Sequence, residues 1–169
     1  MQQLVLGAVL GALSVMTTSL LIDMWRRRKE SHTLLVSLVA ELRNIVKHYR
    51  FVELELPGPH ATDLELRKHL AFARYGEVGS ARNFDKFGFL DIEHVLELLQ
   101  LSLRVRNNDT FFKSLDERFE QVQASDLEYA CDRARYVRES ATNLLGFLAK
   151  RYSWVAEAIT TRERGGLRA

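Results

Sequence analysis

The stretch Leu4–Ile22, LVLGAVLGALSVMTTSLLI, decides how this chain is built. Its 19 residues carry no charge, and Asp23-Met24-Trp25 and then Arg26-Arg27-Arg28-Lys29 follow directly. At 1.5 Å per residue, a helix of about this length crosses a hydrocarbon core of about 30 Å. An indole prefers the headgroup level, and a cluster of cations marks the cytoplasmic side of a span. The sequence therefore predicts a single transmembrane anchor, residues 1–25, with its N-terminus outside and the remaining chain in the cytoplasm.

Two other interpretations of this stretch fit it less well. A cleavable signal peptide carries its cations before a shorter apolar region and ends in small residues. Here the cations follow the apolar region, and residues 20–25 contain no such cleavage site. A buried helix of a soluble protein is usually shorter than this. We therefore expect an uncleaved anchor in a bacterial inner membrane, with the lipid bilayer as its first partner.

Small and hydroxylated residues recur along one face of the predicted span. Gly7 and Gly11 have the small-xxx-small spacing, and Ser14 and Thr18 continue the same face. Small residues allow two transmembrane helices to approach closely, although glycine is also common in such helices in general. We expect this face to associate with a second copy of the chain or with another membrane protein. The cations after Trp25 also attract anionic lipid, but the orientation of the span is sufficient to explain them.

Apolar residues spaced three and four apart predict helices over most of the remaining chain. The fold class is therefore all-α: the anchor is followed by a cytoplasmic bundle of four to five helices over residues 26–160, and by a disordered basic tail, 161–169. No internal repeat and no segment with strand periodicity is present. The predicted helices run from the anchor to Leu56, from Thr62 or Asp63 to Tyr75, from Asp91 to Arg106, from Phe111 to Val122, and from Ser125 to Thr160.

Capping and turn residues set these boundaries. Pro57-Gly58-Pro59 stops the first helix, because proline cannot continue it. The pairs Thr62/Glu65 and Ser125/Glu128 have the spacing of a capping box. Residues 76–83 form a predicted loop, and Asn107-Asn108-Asp109 is predicted to be a turn that separates two helices.

The predicted helices carry apolar stripes that we expect to form the core. The stripe of the first helix favours packing within its own domain over a parallel coiled coil, because three heptads without a charge pattern at their flanks are weak evidence. Cys131 lies beside the stripe of the last helix and is expected to be a small buried side chain. The stripes comprise Leu35, Leu38, Leu42, Ile45, Tyr49, Val52 and Leu56 in the first helix, Leu64, Leu66, Leu70 and Phe72 in the second, and Ile92, Val95, Leu96, Leu99 and Leu103 in the third.

The aromatic residues leave two alternatives open. Phe84, Phe87, Phe89 and the pair Phe111-Phe112 are the largest apolar side chains of a small domain. Burial in the core is their default position. An exposed docking patch, or insertion into the inner leaflet of the membrane, is the other interpretation.

The sequence contains no recognisable catalytic or cofactor motif. Glu65 and His69 lie one helical turn apart, and so do Asp91, His94 and Glu97, but neither set has the Glu-x-x-His spacing of a di-metal bundle. We therefore predict no metal site, no cofactor and no enzymatic activity. The chain has 24 Lys and Arg against 22 Asp and Glu, which gives no electrostatic reason to expect nucleic acid. Its single cysteine cannot form an intramolecular disulfide and is compatible with a reducing compartment.

Two functions follow as hypotheses. The first is a single-pass protein whose cytoplasmic bundle assembles with itself or recruits a partner to the membrane. The second is a membrane-disrupting effector or toxin, of the defence or lysis type, that acts when it oligomerises. An enzyme with an all-helical site fed from the membrane is a third possibility, which a deep pocket with converging polar residues would favour.

Overall fold

The computed structural model describes residues 2–56, 63–80, 86–88 and 90–157, and their side chains from residue 20 onward. In this part of the chain, no helix has a stretch long and apolar enough to cross a membrane. The predicted anchor, residues 1–25, lies mostly outside the described side chains, and so does its small-residue face, Gly7, Gly11, Ser14 and Thr18. Its place in a membrane therefore stays a prediction. Thr62, Phe84, Phe89 and the predicted tail also lie outside the described residues.

All regular structure in the described ranges is helical, which confirms the all-α prediction. The chain divides into two units, residues 1–36 and 37–169, and the first helix contributes to both. The elements are α1 (Gln2–Glu55), α2 (Asp63–Ala73), α3 (Ile92–Glu117), a 3₁₀ turn (Phe119–Gln121) and α4 (Ala124–Arg151).

Helices α3 and α4 pack as an antiparallel pair in the second unit. Arg118 at the end of α3 lies 3.5 Å from Asp126 at the start of α4. At the opposite end, Asp91, which precedes α3, pairs with Arg151, the last residue of α4. The last turn of α1 joins the pair through Glu53, whose Oε1 accepts a hydrogen bond of 2.5 Å from Nε of Arg138.

The apolar stripe of α1 lies in the core of the chain, as predicted. A helix presents residues three and four apart on one face, so this stripe is buried along its whole length. Cys131 is also buried, as predicted. The fully buried members of the α1 stripe in the second unit are Leu38, Leu42, Ile45, Tyr49, Val52 and Leu56.

The predicted turn at Asn107-Asn108-Asp109 is wrong, because α3 continues through it to Glu117. The side chain of Asn108 is only 3% exposed. Its Nδ2 donates to the carbonyl oxygen of Arg133, 3.3 Å away, and its Oδ1 accepts from Nε of the same arginine at 2.9 Å. Asparagine favours turns because its amide competes for nearby backbone groups. Here the side-chain amide of Asn108 is hydrogen-bonded to Arg133 of α4, so it does not compete for the backbone groups of α3.

The boundaries of α4 and the face that α3 buries also differ from the prediction. Helix α4 begins at Ala124, where the carboxylate of Asp126 accepts a hydrogen bond of 3.0 Å from the backbone N–H of Gln123. It ends at Arg151, short of the predicted Thr160, and a separate helical turn, 153–157, follows. The α3 residues that the structure buries are Leu98, Leu101, Val105, Asn108, Phe112 and Leu115.

The aromatic residues divide between core and surface. Phe87 and Phe112 are fully buried, which confirms the core interpretation for these two. Phe111 is half-buried and lies in an edge-on contact with Tyr129, with ring centroids 5.4 Å apart. In the short helix α2, Leu70 is buried as predicted, but Leu64 is 62% exposed and faces away from the core.

Candidate partner-binding surface on helices α3 and α4

Helix α3 carries a second apolar stripe, on the side opposite the core. Ile92 is 76% exposed, Leu96 is 51% exposed and Leu103 is 58% exposed. Four and seven residues separate them, so they lie on one helical face. The sequence analysis assigned these residues to the core, and that prediction is wrong. A row of exposed large apolar side chains on one helix is typical of a surface that another molecule covers. We name these three residues the α3 stripe.

A groove lies between α3 and α4, beside the α3 stripe. It has a volume of about 350 Å³ and is open to solvent. Leu103 of the stripe and Arg104 of the groove are adjacent in sequence. The groove is lined by Arg104, Asn107, Asn108, Tyr129, Asp132, Arg133, Tyr136 and Val137.

Two arginines in the groove lie close to aromatic rings. The guanidinium carbon of Arg104 lies 4.4 Å from the ring centre of Tyr136. Its Nη1 donates to Oγ of Ser140, 2.7 Å away. A cation–π contact of this kind restricts the arginine side chain before a ligand binds, so less entropy is lost on binding.

The second arginine, Arg133, has two aromatic neighbours. Its guanidinium carbon lies 4.9 Å from the ring centre of Phe111 and 5.6 Å from that of Tyr129. Its Nη1 also donates to the Tyr129 hydroxyl at 3.4 Å, and its Nε is bound by the buried Asn108. The contacts on three sides fix this side chain in one orientation.

Among the described residues, Arg104 and Arg133 form no ion pair with a carboxylate, although several other arginines of the bundle do. Three arginines of α3 and α4 are half-buried, and of these Arg138 is paired with Glu53. Hydrogen bonding to this carboxylate raises the pKa of Arg138. Within the described ranges, the hydrogen bonds of Arg104 and Arg133 go to neutral groups. A partly desolvated cation without an anion is costly, and an anionic ligand would remove that cost.

A buried polar group lies close to Asn108. The hydroxyl of Tyr49 on α1 is buried and has no hydrogen-bond partner among the described residues. Burial raises the pKa of Tyr49, the negative charge of Asp109 raises it further, and the amide of Asn108 acts in the opposite direction. The phenol therefore stays protonated, and it is available to the polar contacts around Asn108.

The candidate metal residues do not converge. No group of three or more His, Cys, Asp or Glu side chains in the described part of the chain is placed to hold a metal ion. Asp91 is bound by Arg151, and its Oδ2 lies 3.9 Å from Nδ1 of His94. The ring of His94 is stacked on Phe147. Glu65, His69 and Glu97 are each placed on helices without forming such a group.

The interface residues of the predicted anchor are exposed. Trp25 is 66% exposed, and Nζ of Lys29 lies 5.4 Å from its ring centre. Arg26 pairs with Glu30 at 3.1 Å, one turn further along the helix. Arg27 and Arg28 are exposed as well.

The sequence analysis missed both groove arginines. Arg133 lies between Tyr129 and Tyr136, at distances of four and three residues, which places one cation among aromatic rings on one helical face. That spacing is the only local signal for the groove. Comparisons of the chain with protein-family models, with curated proteins and with solved structures gave no match.

Proposed function

We propose that this chain is a single-pass membrane protein whose helical bundle recruits a protein partner to the bilayer through the outward surface of α3. The observation that carries the proposal is the α3 stripe. Its three large apolar side chains are exposed along one face of a helix whose opposite face packs in the core. Self-assembly through the same surface is the second form of this function, and the identity of the bound chain distinguishes the two.

The exposure of the first unit supports the membrane part of the proposal. Five large apolar side chains between residues 20 and 25 are each more than half exposed. They cover more than half of the circumference of the helix, and Asp23 lies on the remaining side. A helix with apolar side chains over most of its circumference favours an apolar environment. These residues are Leu20, Leu21, Ile22, Met24 and Trp25.

Site-specific photo-crosslinking tests the recruitment. A photoreactive phenylalanine analogue replaces Leu96 in one variant and Leu54 in a control variant, and both are expressed in the source cells. Leu54 is a suitable control because it is 68% exposed but lies on α1. We expect one discrete crosslinked product from position 96 that position 54 does not give. Mass spectrometry of that product shows whether the crosslinked chain is a second copy or a different protein.

Charge substitution gives the complementary measurement. The double variant Leu96→Glu, Leu103→Glu should remove the complex from detergent-solubilised membranes, whereas Leu54→Glu should leave it intact. A complex that survives the double variant, or an equal crosslinking yield at both positions, would contradict the assignment of the α3 stripe. Alkaline extraction tests the anchor separately: the chain should stay in the membrane fraction, and a chain without residues 1–25 should leave it.

A further inference from the structure

We propose that the α3 surface binds a second copy of this chain, with the two α3 helices antiparallel and related by a two-fold axis midway between Leu96 and Leu103. The inference rests on the proposed function, because it names the partner of the same surface and selects the self-assembling form of that function. It depends on the α3 stripe and on a row of polar side chains beside the stripe.

The polar row follows one edge of the α3 stripe, and its charge changes sign along the helix. It consists of Glu93, Glu97, Gln100 and Arg104, which are spaced four, three and four residues apart on α3. That spacing keeps them on one side of the helix. The two glutamates are exposed at the N-terminal end of the row, and Arg104 is half-buried at its C-terminal end. The row is therefore acidic at one end and basic at the other.

A two-fold axis makes this row complementary to itself. In an antiparallel pair related by such an axis, the same edge of both helices lies on the same side of the interface. The stripe sets the register, because Leu96 of each copy then faces Leu103 of the other. In this register Arg104 of the second copy lies midway between the levels of Glu93 and Glu97, about 3 Å from each along the helix axis. The contact occurs twice in the dimer, once at each end.

Arg104 has the donors that this contact needs. Within the described ranges, its side-chain hydrogen bond uses Nη1, which leaves Nε and Nη2 for a carboxylate of the second copy. A hydrogen bond between two charged groups is stronger than one between neutral groups. The contact with the ring of Tyr136 restricts the arginine before the second copy binds. The dimer thus supplies an anion to a half-buried cation that forms no ion pair among the described residues of its own chain.

The apolar stripe and the acidic end of the row both favour the antiparallel dimer. Each copy contributes the three residues of its own stripe, so self-pairing covers twice the apolar surface of one stripe. A parallel pair would place Glu93 and Glu97 level with the same residues of the second copy, and like charges oppose association. In the antiparallel pair the two Glu93 side chains are about 20 Å apart along the axis, beyond the range of screened repulsion.

Disulfide crosslinking tests the register on the full chain in mild detergent. Leu96→Cys and Leu103→Cys are introduced separately into two differently tagged chains that also carry Cys131→Ala. A disulfide requires Cα atoms within about 7 Å, whereas the two positions 96 of a dimer are about 10 Å apart along the axis in this register. On oxidation with copper phenanthroline, we expect the mixed pair to crosslink and neither chain to crosslink with itself. Crosslinking of the Leu96→Cys chain with itself would contradict the antiparallel pair.

Charge exchange tests the polar row. One variant carries Glu93→Lys with Glu97→Lys, and the other carries Arg104→Glu. Each variant alone places like charges at both contacts, so it should dimerise about tenfold more weakly in sedimentation equilibrium at low ionic strength. An equimolar mixture should recover the affinity of the unchanged chain, because opposite charges then face each other, and the recovery shows that both variants fold. Lys113→Glu is the matched control: it is exposed on α3, ten residues beyond Leu103, and should leave the affinity unchanged.

Three further results would overturn the inference. The first is a mixture that associates no more tightly than either variant alone, and the second is an equal loss of affinity in Lys113→Glu. The third is a dimer that none of these substitutions weakens, which would assign assembly to the predicted span. Failure of this inference differs from failure of the proposed function. A monomeric chain whose position 96 crosslinks to a different protein refutes only the second copy, whereas the absence of any discrete product from position 96 refutes the recruitment itself.

Discussion

Replacing Asn108 by alanine should destabilise the bundle, although alanine is the better helix former. Asn108 lies within α3 and on its core face, with 3% of its surface exposed. Its two hydrogen bonds connect α3 to α4 through the backbone and the side chain of Arg133. The substitution removes both and leaves a buried carbonyl oxygen without this donor.

The magnitude follows from the geometry of the two bonds. The bond to the carbonyl oxygen is long, at 3.3 Å, and we assign it about 0.5–1 kcal/mol. The bond from the charged guanidinium, at 2.9 Å, is expected to contribute about 1.5–3 kcal/mol. Because Arg133 is only half-buried, water can replace part of the second contribution. The higher helix propensity of alanine offsets about 0.5 kcal/mol. The expected loss in the free energy of unfolding is therefore about 2 kcal/mol.

Urea unfolding in mild detergent provides the assay, with Trp154 as the only tryptophan in a Trp25→Phe background. Asn107→Ala is the matched control, because Asn107 is the preceding residue of the same helix and is exposed. It should stabilise the chain slightly, by up to about 0.5 kcal/mol, through helix propensity alone. Opposite signs for the two variants support a continuous helix with a buried asparagine. Equal effects of the two substitutions would refute it and would favour the turn that local sequence signals predict.

Three further variants test other parts of the chain. Burial lowers the pKa of His48, so on acidification the unfolded state takes up the proton first. The free energy of unfolding should therefore be at its full value above about pH 6.5 and should fall as the pH drops toward the pKa of the folded state. In urea unfolding at pH 7.5 and 5.5, His48→Phe should remove that loss. Glu41→Gln weakens the carboxylate contact to the backbone N–H of Ser80, at 2.8 Å, and should raise hydrogen exchange in residues 74–80 by about tenfold, whereas unchanged exchange would count against that contact. Gly7→Leu with Gly11→Leu should abolish a detergent-stable oligomer if the span associates through its small-residue face. An unchanged oligomer would assign assembly to the bundle. Relief of growth arrest by the same variant would favour the effector function.

The long apolar stripe of α1 could be predicted from the sequence because every signal agrees there. Its apolar residues keep one three-four period over two dozen residues, and two prolines follow directly. Only one face of α1 offers a continuous apolar stripe in this segment, so periodicity alone identifies what is buried. The end of α1 at Glu55 and the start of α2 at Asp63 match those signals to within a residue.

The turn at residues 107–109 shows what local signals miss. Asn107, Asn108 and Asp109 each favour turns when their side chains find no better partner. In the structure each of the last two has one. Asn108 binds Arg133 across the groove, and Asp109 accepts a hydrogen bond of 3.1 Å from the backbone N–H of Gly76. These partners lie 25 and 33 residues away in sequence, so no window of local sequence contains them.

The groove was beyond prediction for a related reason. It depends on the antiparallel pairing of α3 and α4, which brings Arg104 near Ser140 and Arg133 near Asn108. A sequence shows arginines and tyrosines on two helices, but the pairing that joins them follows from tertiary packing. Once the register is known, the side-chain hydrogen bonds of both arginines within the described ranges can be assigned to neutral groups.

The two apolar faces of α3 explain both the error in its core and the case for a partner. The buried face extends from Leu98 to Leu115, whereas the exposed stripe covers only the first half of the helix, from Ile92 to Leu103. A helix that packs along its length between α2 and α4 buries the longer face, since this removes more apolar surface from water. The shorter stripe is then left outside, and its position could not be derived without the neighbours.

The size of the α3 stripe limits how tightly a partner can bind to it. A fully buried large apolar side chain contributes about 1.5–3 kcal/mol, and the three stripe residues are between 51% and 76% exposed. Covering them therefore contributes about 3–6 kcal/mol in total, whereas association costs at least about 4 kcal/mol in lost freedom. The stripe alone gives at most a weak complex. Contacts outside the three stripe residues must therefore add to the binding energy of a stable complex. A partner that the stripe alone holds at nanomolar affinity would contradict this estimate.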